Sequence, residues 1–291
     1  MGIITISKGS YTRGSEVAEK TARKLGYRCV SRDNLIEATK KFAIPEISLT
    51  RSVRNAFSFL ERFSHGRERF IAHFRAALFK ELKTDNVVYH GFSTHFFVED
   101  ILPVLRVRII EKREERIRHV MKREKISRKG ALQFLERVDE ERRKWGERLY
   151  GNDLGDPNLY DLTLNIDRVS VDEAVETICH ISKLKRFQLT PEDLQDLEDR
   201  AIAAQVGTFL VGIKHKVEVC IAKGFVSLKT ESPQHSKSAL VDRLEDMMKI
   251  PEVVGIEFVT INEMVDEAVC LPEPSARPAK DSTPPYFTEM G

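Results

Sequence analysis

The 291-residue chain is short of several things, and each shortage closes off a class of answers. An excess of one charge is missing: 47 basic residues face 45 acidic ones, for a net charge of +2. A general nucleic-acid binder usually carries a large basic surplus, so no nucleic-acid partner is expected. Long apolar runs are also missing. None approaches the roughly 20 residues a membrane span needs, so no transmembrane segment is expected. The apolar N-terminus, "MGIITIS", is short, has no basic leading region and reads as a strand. Ile6 stands where the myristoylation pattern wants serine or threonine. Cysteine occurs four times (Cys29, Cys179, Cys220, Cys270) without C-x-x-C pairing. That usage reads as buried free thiols in a reducing, cytoplasmic setting. Proline is sparse until the last 20 residues, which hold Pro272, Pro274, Pro278, Pro284 and Pro285. Residues 266–291 therefore read as a disordered tail.

What is present suffices for a core, at 41% hydrophobic residues, and the length favours one large or two modest domains. Apolar runs alternate with helical patterns over the first two-thirds. Strands are expected at 2–7, 27–31, 86–91, 104–111 and 160–166. Helices are expected at 14–25, from Asn34 to Phe42, along the stripe of 46–84 with a break near Gly66, and at 171–186. Charged helices fill 111–148. Such alternation predicts an α/β domain over 1–188, a parallel five-stranded sheet flanked by helices. The pattern restarts near 188, with Thr190 as N-cap and Pro191 at the first helical position. Two alternating strands meet at Lys223-Gly224, a hairpin signal; a helix over 236–249 and a strand over 255–262 come after them. Residues 189–265 thus read as a small α+β unit that folds apart from the first.

The first strand runs into "SKGSYTRGSE". Gly9 and Gly14 have the spacing of G-x-x-x-x-G-K-[ST], between a strand and a helix, where backbone N–H groups and the helix dipole favour an anion. Gly9, Ser10, Tyr11, Thr12, Arg13, Gly14, Ser15 and Glu16 are the candidate phosphate cradle. The lysine and the Mg²⁺-holding hydroxyl of that motif are replaced by Ser15 and Glu16. Ser15 can hydrogen-bond a phosphate but brings no charge, and Glu16 repels one. Arg13 and Lys8 are the nearby cations, with Arg13 the partial substitute. A strand–turn–helix connection that binds nothing is the alternative.

"ITISKGSYTRGSEVAEKTARKLGYRCVSRDNLI" resembles the opening of the cytidylate-kinase-like family of P-loop proteins. The likeness continues through "NVVYHGFSTHFF", "VLRVRIIEKREERIRHVMKREKIS" and "DEERRKWGERLYG", and ends at "YDLTLNIDRVSVDEAVETI", over about residues 3–185. It implies a nucleoside monophosphate kinase fold, with ATP and Mg²⁺ as cofactors and a pyrimidine monophosphate as acceptor. By position it also implies that Arg113, Arg116 and Arg118 lie on a lid helix. Asp139 and Arg142 match the Asp-x-x-Arg segment that meets the acceptor. Arg13, Arg116 and Arg142 become the catalytic candidates; Asp139, Arg142 and Arg113 become the substrate-binding ones. Three positions depart from the family: Phe92 comes after Gly91 where arginine is usual, Ser31 replaces aspartate, and Ser15 replaces lysine. His73, His90 and His95 form no metal set, and no protein-held metal site is expected. Residues 190–264 resemble a BON domain, which implies docking on a phospholipid surface or a protein partner. Two readings result: a nucleotide-binding kinase homologue with altered or reduced phosphoryl transfer, or a non-catalytic degenerate kinase fold serving as nucleotide sensor or scaffold.

Overall fold

The computed structural model describes residues 2–9, 11–35, 66–84, 86–91, 103–150, 154–213, 217–262 and 268–271. Ser10, Phe92, His95, the segment 36–65 and the tail from 272 lie outside them, as do the side chains of 66, 67, 145–150, 235 and 239.

Five strands form the first sheet: β1 (Ile3–Lys8), β2 (Arg28–Ser31), β3 (Val87–Gly91), β4 (Val104–Ile110) and β5 (Leu162–Asn165). Their order is β2-β3-β1-β4-β5, and every pairing is parallel. The five-stranded parallel sheet read from the sequence is therefore present. β1 is central, so the loop after it opens at the carboxyl edge, where open α/β sheets bind ligands. Its alternation sorts the two faces. Ile4 and Ile6 join Val88, Leu105, Val107 and Ile109 against α1 (Gly14–Leu25) and α5 (Val171–Ser182). Ile3, Val87, Tyr89 and Val104 face the other way, against α2 (Gly66–Leu82). Gly26 ends α1 at φ +71°, with its N–H on the Arg23 carbonyl, as a left-handed cap requires. Two charged helices, α3 (Arg113–Glu124) and α4 (Arg128–Tyr150), pack on each other through Ile117, Val120, Ala131 and Leu135.

The second unit contains α6 (Pro191–Leu210), β6 (Val217–Ala222), β7 (Phe225–Thr230), α7 (Pro233–Met248), β8 (Gly255–Thr260) and β9 (Val269–Leu271). Its sheet has the order β8-β7-β6-β9. Thr190 caps α6 through a capping box with Asp193, as its sequence suggests. The β6–β7 turn places Lys223 at φ +50° and Gly224 at φ +81°. A Cβ on Gly224 would stand 2.5 Å from the Glu252 carbonyl oxygen, so glycine is required there.

Several expectations need correction. The helix after β2 begins beyond Ser31, not at Asn34: residues 32–35 are helical, Ser31 accepts from the Asn34 N–H (3.2 Å), and Asn34 Oδ1 accepts from the Ser31 N–H (2.9 Å). α5 stops at Ser182, and Lys185–Phe187 form a separate short turn, because Leu184 has extended backbone (ψ 141°). The second sheet extends past 265, since β9 pairs antiparallel with β6. Cys220 and Cys270, opposite each other in that pair, form a disulfide, and Cys29 is exposed; of the four expected buried thiols, Cys179 fits. The two units also share a core. One apolar cluster joins Phe70, Phe74 and Leu78 of α2 to Leu197, Ile202 and Val206 of α6, and to Val219 and Leu228 of the second sheet. No helix among the described residues is long and apolar enough to cross a membrane.

Candidate functional site

Between Lys8 and Gly14 the chain turns tightly. Thr12 Oγ1 donates to the Gly9 carbonyl (3.1 Å) and accepts from the Gly14 N–H (3.3 Å). Tyr11 sits at φ +59°, a left-handed conformation unusual for a side chain of that size, and the surroundings hold it. Its hydroxyl donates to Glu124 Oε1 (2.8 Å), its ring meets Phe134 edge-on at 5.5 Å, and His119 Nδ1 donates to its carbonyl (3.0 Å). The loop is thereby fastened to the α3–α4 pair.

Arg13, the expected partial substitute for the missing lysine, is engaged elsewhere. Its Nε donates to Glu111 Oε1 (3.0 Å), a terminal nitrogen donates to the Ile166 carbonyl (3.1 Å), and its backbone N–H donates to Glu111 Oε2 (3.3 Å). The Glu111 side chain is fully buried at the end of β4. Two of the cradle's amides, those of Arg13 and Gly14, thus already have acceptors from the protein's own side chains.

Lys8 approaches from the opposite side. Its ammonium donates to Ser15 Oγ, and a Cβ on Gly14 would lie 2.6 Å from the Lys8 Cβ and 3.2 Å from its Cδ. Burial, and next the Arg142 guanidinium, push the Lys8 pKa below its usual range. Arg142, on α4, donates to the Lys8 carbonyl (2.7 Å); its own pKa is lowered to about 10, by burial first and then by Arg32. Arg116 on α3 grips both oxygens of Asp139 on α4 (2.6 and 2.8 Å), and a Cβ on Gly9 would lie 3.9 Å from Arg116 Nε. Beside Lys8, at the end of β3, His90 is 8% exposed. Its pKa is lowered to about 4, chiefly by burial and then by Lys8.

Of the residues singled out from the sequence, Gly9, Ser15, Arg116, Asp139 and Arg142 come together around the loop. Arg113 lines one cleft with Arg116, Asp139 and Glu111 and pairs there with Glu136; Arg118 pairs with Glu115, and Glu16 with Lys20 one turn on, all three pairings being at exposed surface. Ser31, read as a lost aspartate, serves as a cap. Glu111 was not anticipated. The available signal was its position at the carboxyl end of an apolar strand, at the sheet edge where sites form.

The cluster of Lys8, Arg116 and Arg142 fits a phosphate chain by charge. It fits Mg²⁺ poorly: Ser15 accepts from Lys8, Glu16 is ion-paired, and Glu111 is buried on Arg13. Among the described residues the one cluster of potential metal ligands is Glu218, Cys220 and Cys270, in the second sheet, and two of its members form the disulfide.

No curated protein matches the chain significantly. An uncharacterised protein from Eubacterium ventriosum of known structure is 21% identical, covering 64% of this chain and 100% of that one at a TM-score of 0.47. Shikimate kinase from Bacteroides thetaiotaomicron is 15% identical, covering 63% and 99% at 0.40. A gluconokinase from Sinorhizobium meliloti is 16% identical, covering 65% and 98% at 0.37. At such identities and scores these likenesses carry no functional inference. The family model is different in weight: it matches residues 3–168, more than half of the chain, and spans the loop, the parallel sheet and the α3–α4 pair. The chain belongs to the cytidylate kinase-like family.

Proposed function

We propose that the protein is a nucleotide-binding kinase homologue that moves the γ-phosphoryl of ATP to a cytidylate-like nucleoside monophosphate, with altered or reduced activity. The observation that carries this reading is the convergence of Arg116, Asp139 and Arg142 on the loop from two separate helices. Phosphoryl transfer needs positioning and cations near the equatorial oxygens more than covalent chemistry from the protein. ATP supplies the transferable group. Gly9 and Ser15 line its phosphate chain, Arg116 faces that chain with Asp139 fixing its guanidinium, and Arg142 braces the β1 end against the acceptor side. Calorimetry of the full chain with ATP, with and without Mg²⁺, followed by a coupled assay over nucleoside monophosphates, tests the proposal. Binding below millimolar ATP and a preference for cytidylate are expected. Absence of ATP binding at millimolar concentration overturns it.

A second reading, a nucleotide sensor or scaffold without turnover, is favoured by the internal acceptors on the Arg13 and Gly14 amides. Binding with no transfer to any acceptor would select it. In either case we propose a BON-like docking role for residues 189–265, which run α-β-β-α-β before β9 adds a further strand. Co-sedimentation with anionic phospholipid vesicles is the expected outcome; if the chain stays in the supernatant, a protein partner is left as the ligand.

A further inference from the structure

Ser15 occupies the place from which a P-loop lysine reaches back over its phosphates, and its side chain is too short to do so. The Lys8 ammonium nevertheless stands on the Ser15 hydroxyl. It arrives from the strand rather than the helix, and Gly14 is what lets it pass. The Lys8 stem runs so close over the Gly14 Cα that any Cβ there would collide with it at 2.6 Å. Arg142 fixes the strand end by donating to the Lys8 carbonyl at 2.7 Å. His90 adds an independent pointer to a ligand. More than nine-tenths of it is buried beside Lys8, and its Nδ1 has no hydrogen-bond partner among the described residues. Buried imidazole nitrogens are rarely left without one.

We propose that Lys8, from the last position of β1, is the cation that faces the polyphosphate chain of a nucleoside triphosphate in this loop, replacing the lysine absent at position 15. The proposal rests on the nucleotide-binding reading above. The loop has moved its charge from the helix to the strand, so the missing motif residue is not a missing function. Burial and the neighbouring Arg142 disfavour the Lys8 ammonium, while Asp33 and Glu19 act the other way. An arriving phosphate would supply the counter-charge and also favour protonation of His90.

The test is ATP and inorganic tripolyphosphate calorimetry on the full chain, with three variants: Lys8→Met, Ser15→Lys, and the two combined. Lys8→Met is expected to weaken binding about 10- to 100-fold, the loss of one charge-assisted hydrogen bond. Ser15→Lys alone brings two ammonium groups together and should gain little, whereas the combined variant should recover most of the lost affinity. Independently of any variant's folding, the His90 pKa of the parent, followed by NMR, should rise when tripolyphosphate is added. If the parent binds ATP and Lys8→Met binds it equally or more tightly, the Lys8 proposal is overturned and the nucleotide reading stands. If the parent binds neither ATP nor tripolyphosphate and His90 does not move, both fall together.

Discussion

Asp199→Ala is expected to destabilise the protein by about 3–5 kcal/mol, because it removes a buried carboxylate that two backbone donors depend on. Asp199 lies on α6 and is 4% exposed. Its two carboxylate oxygens accept from the Lys223 N–H (3.0 Å) and the Gly224 N–H (3.2 Å), both in the β6–β7 turn. Those amides project from two consecutive residues of positive φ, so the strands' own ladder does not take them up. A hydrogen bond to a charged group contributes about 1.5–3 kcal/mol, and truncation leaves two donors facing a void. Asp199→Asn retains one acceptor and should lose roughly half as much. At about 2–4 °C per kcal/mol for a chain of this order of size, alanine should lower the melting temperature by about 10 °C. A shift of under about 2 °C in thermal unfolding followed by circular dichroism would mean that the turn holds without its carboxylate. Because α6 shares its apolar cluster with α2, the loss should appear in the main transition and not as a separate early one.

Asp199 also marks a limit of what the sequence can say. Alternation and helical spacing are local properties, and they sufficed for β1 to β8 and for the helix start at Thr190. The hairpin at Lys223-Gly224 was legible because two residues of special backbone conformation are adjacent in the chain. Its support from Asp199, 24 residues earlier, is a tertiary fact with no local trace. β9 was lost for a similar reason. "VCL" is three residues long and precedes a proline-rich stretch, so composition outweighed pattern, and the Cys220–Cys270 pairing went with it. In the loop, the glycine spacing and the absent lysine could be read directly. What could not be read was that Lys8 and Ser15 meet across Gly14, or that Arg13 turns to Glu111. The family likeness pointed to Arg116, Asp139 and Arg142, which do gather around the loop. It pointed to Arg113 too, which lines the same cleft as Arg116 and Asp139 but pairs there with Glu136, a partner on another helix that position in the chain does not reveal.

Glu111→Gln is expected to strengthen ATP binding roughly tenfold, a gain of about 1.4 kcal/mol. The Glu111 carboxylate, fully buried, receives the Arg13 backbone N–H, one of the donors a phosphate would otherwise take, together with the Arg13 guanidinium. His119 Nδ1 lies 3.6 Å away. An anion entering the loop therefore meets a resident negative charge and finds one cation already neutralised. Two like charges about 5 Å apart repel by roughly 3 kcal/mol at an effective dielectric constant of about 20, and solvent at the loop mouth reduces this to about 1–2 kcal/mol. Glutamine keeps an oxygen for the Arg13 amide, so the turn is preserved while the repulsion is removed and the Arg13 charge is released. The gain should appear in calorimetry both with and without Mg²⁺ and should shrink as salt is raised. Turnover then separates a kinase from a sensor. If transfer to cytidylate rises along with affinity, the carboxylate is a brake on an enzyme; if affinity rises and turnover stays absent, it sets the threshold of a sensor. A loss of affinity confined to Mg²⁺-containing solutions would instead make Glu111 a metal anchor and refute the expected gain, since a Mg²⁺ ion held between carboxylate and phosphate turns their repulsion into a bridge.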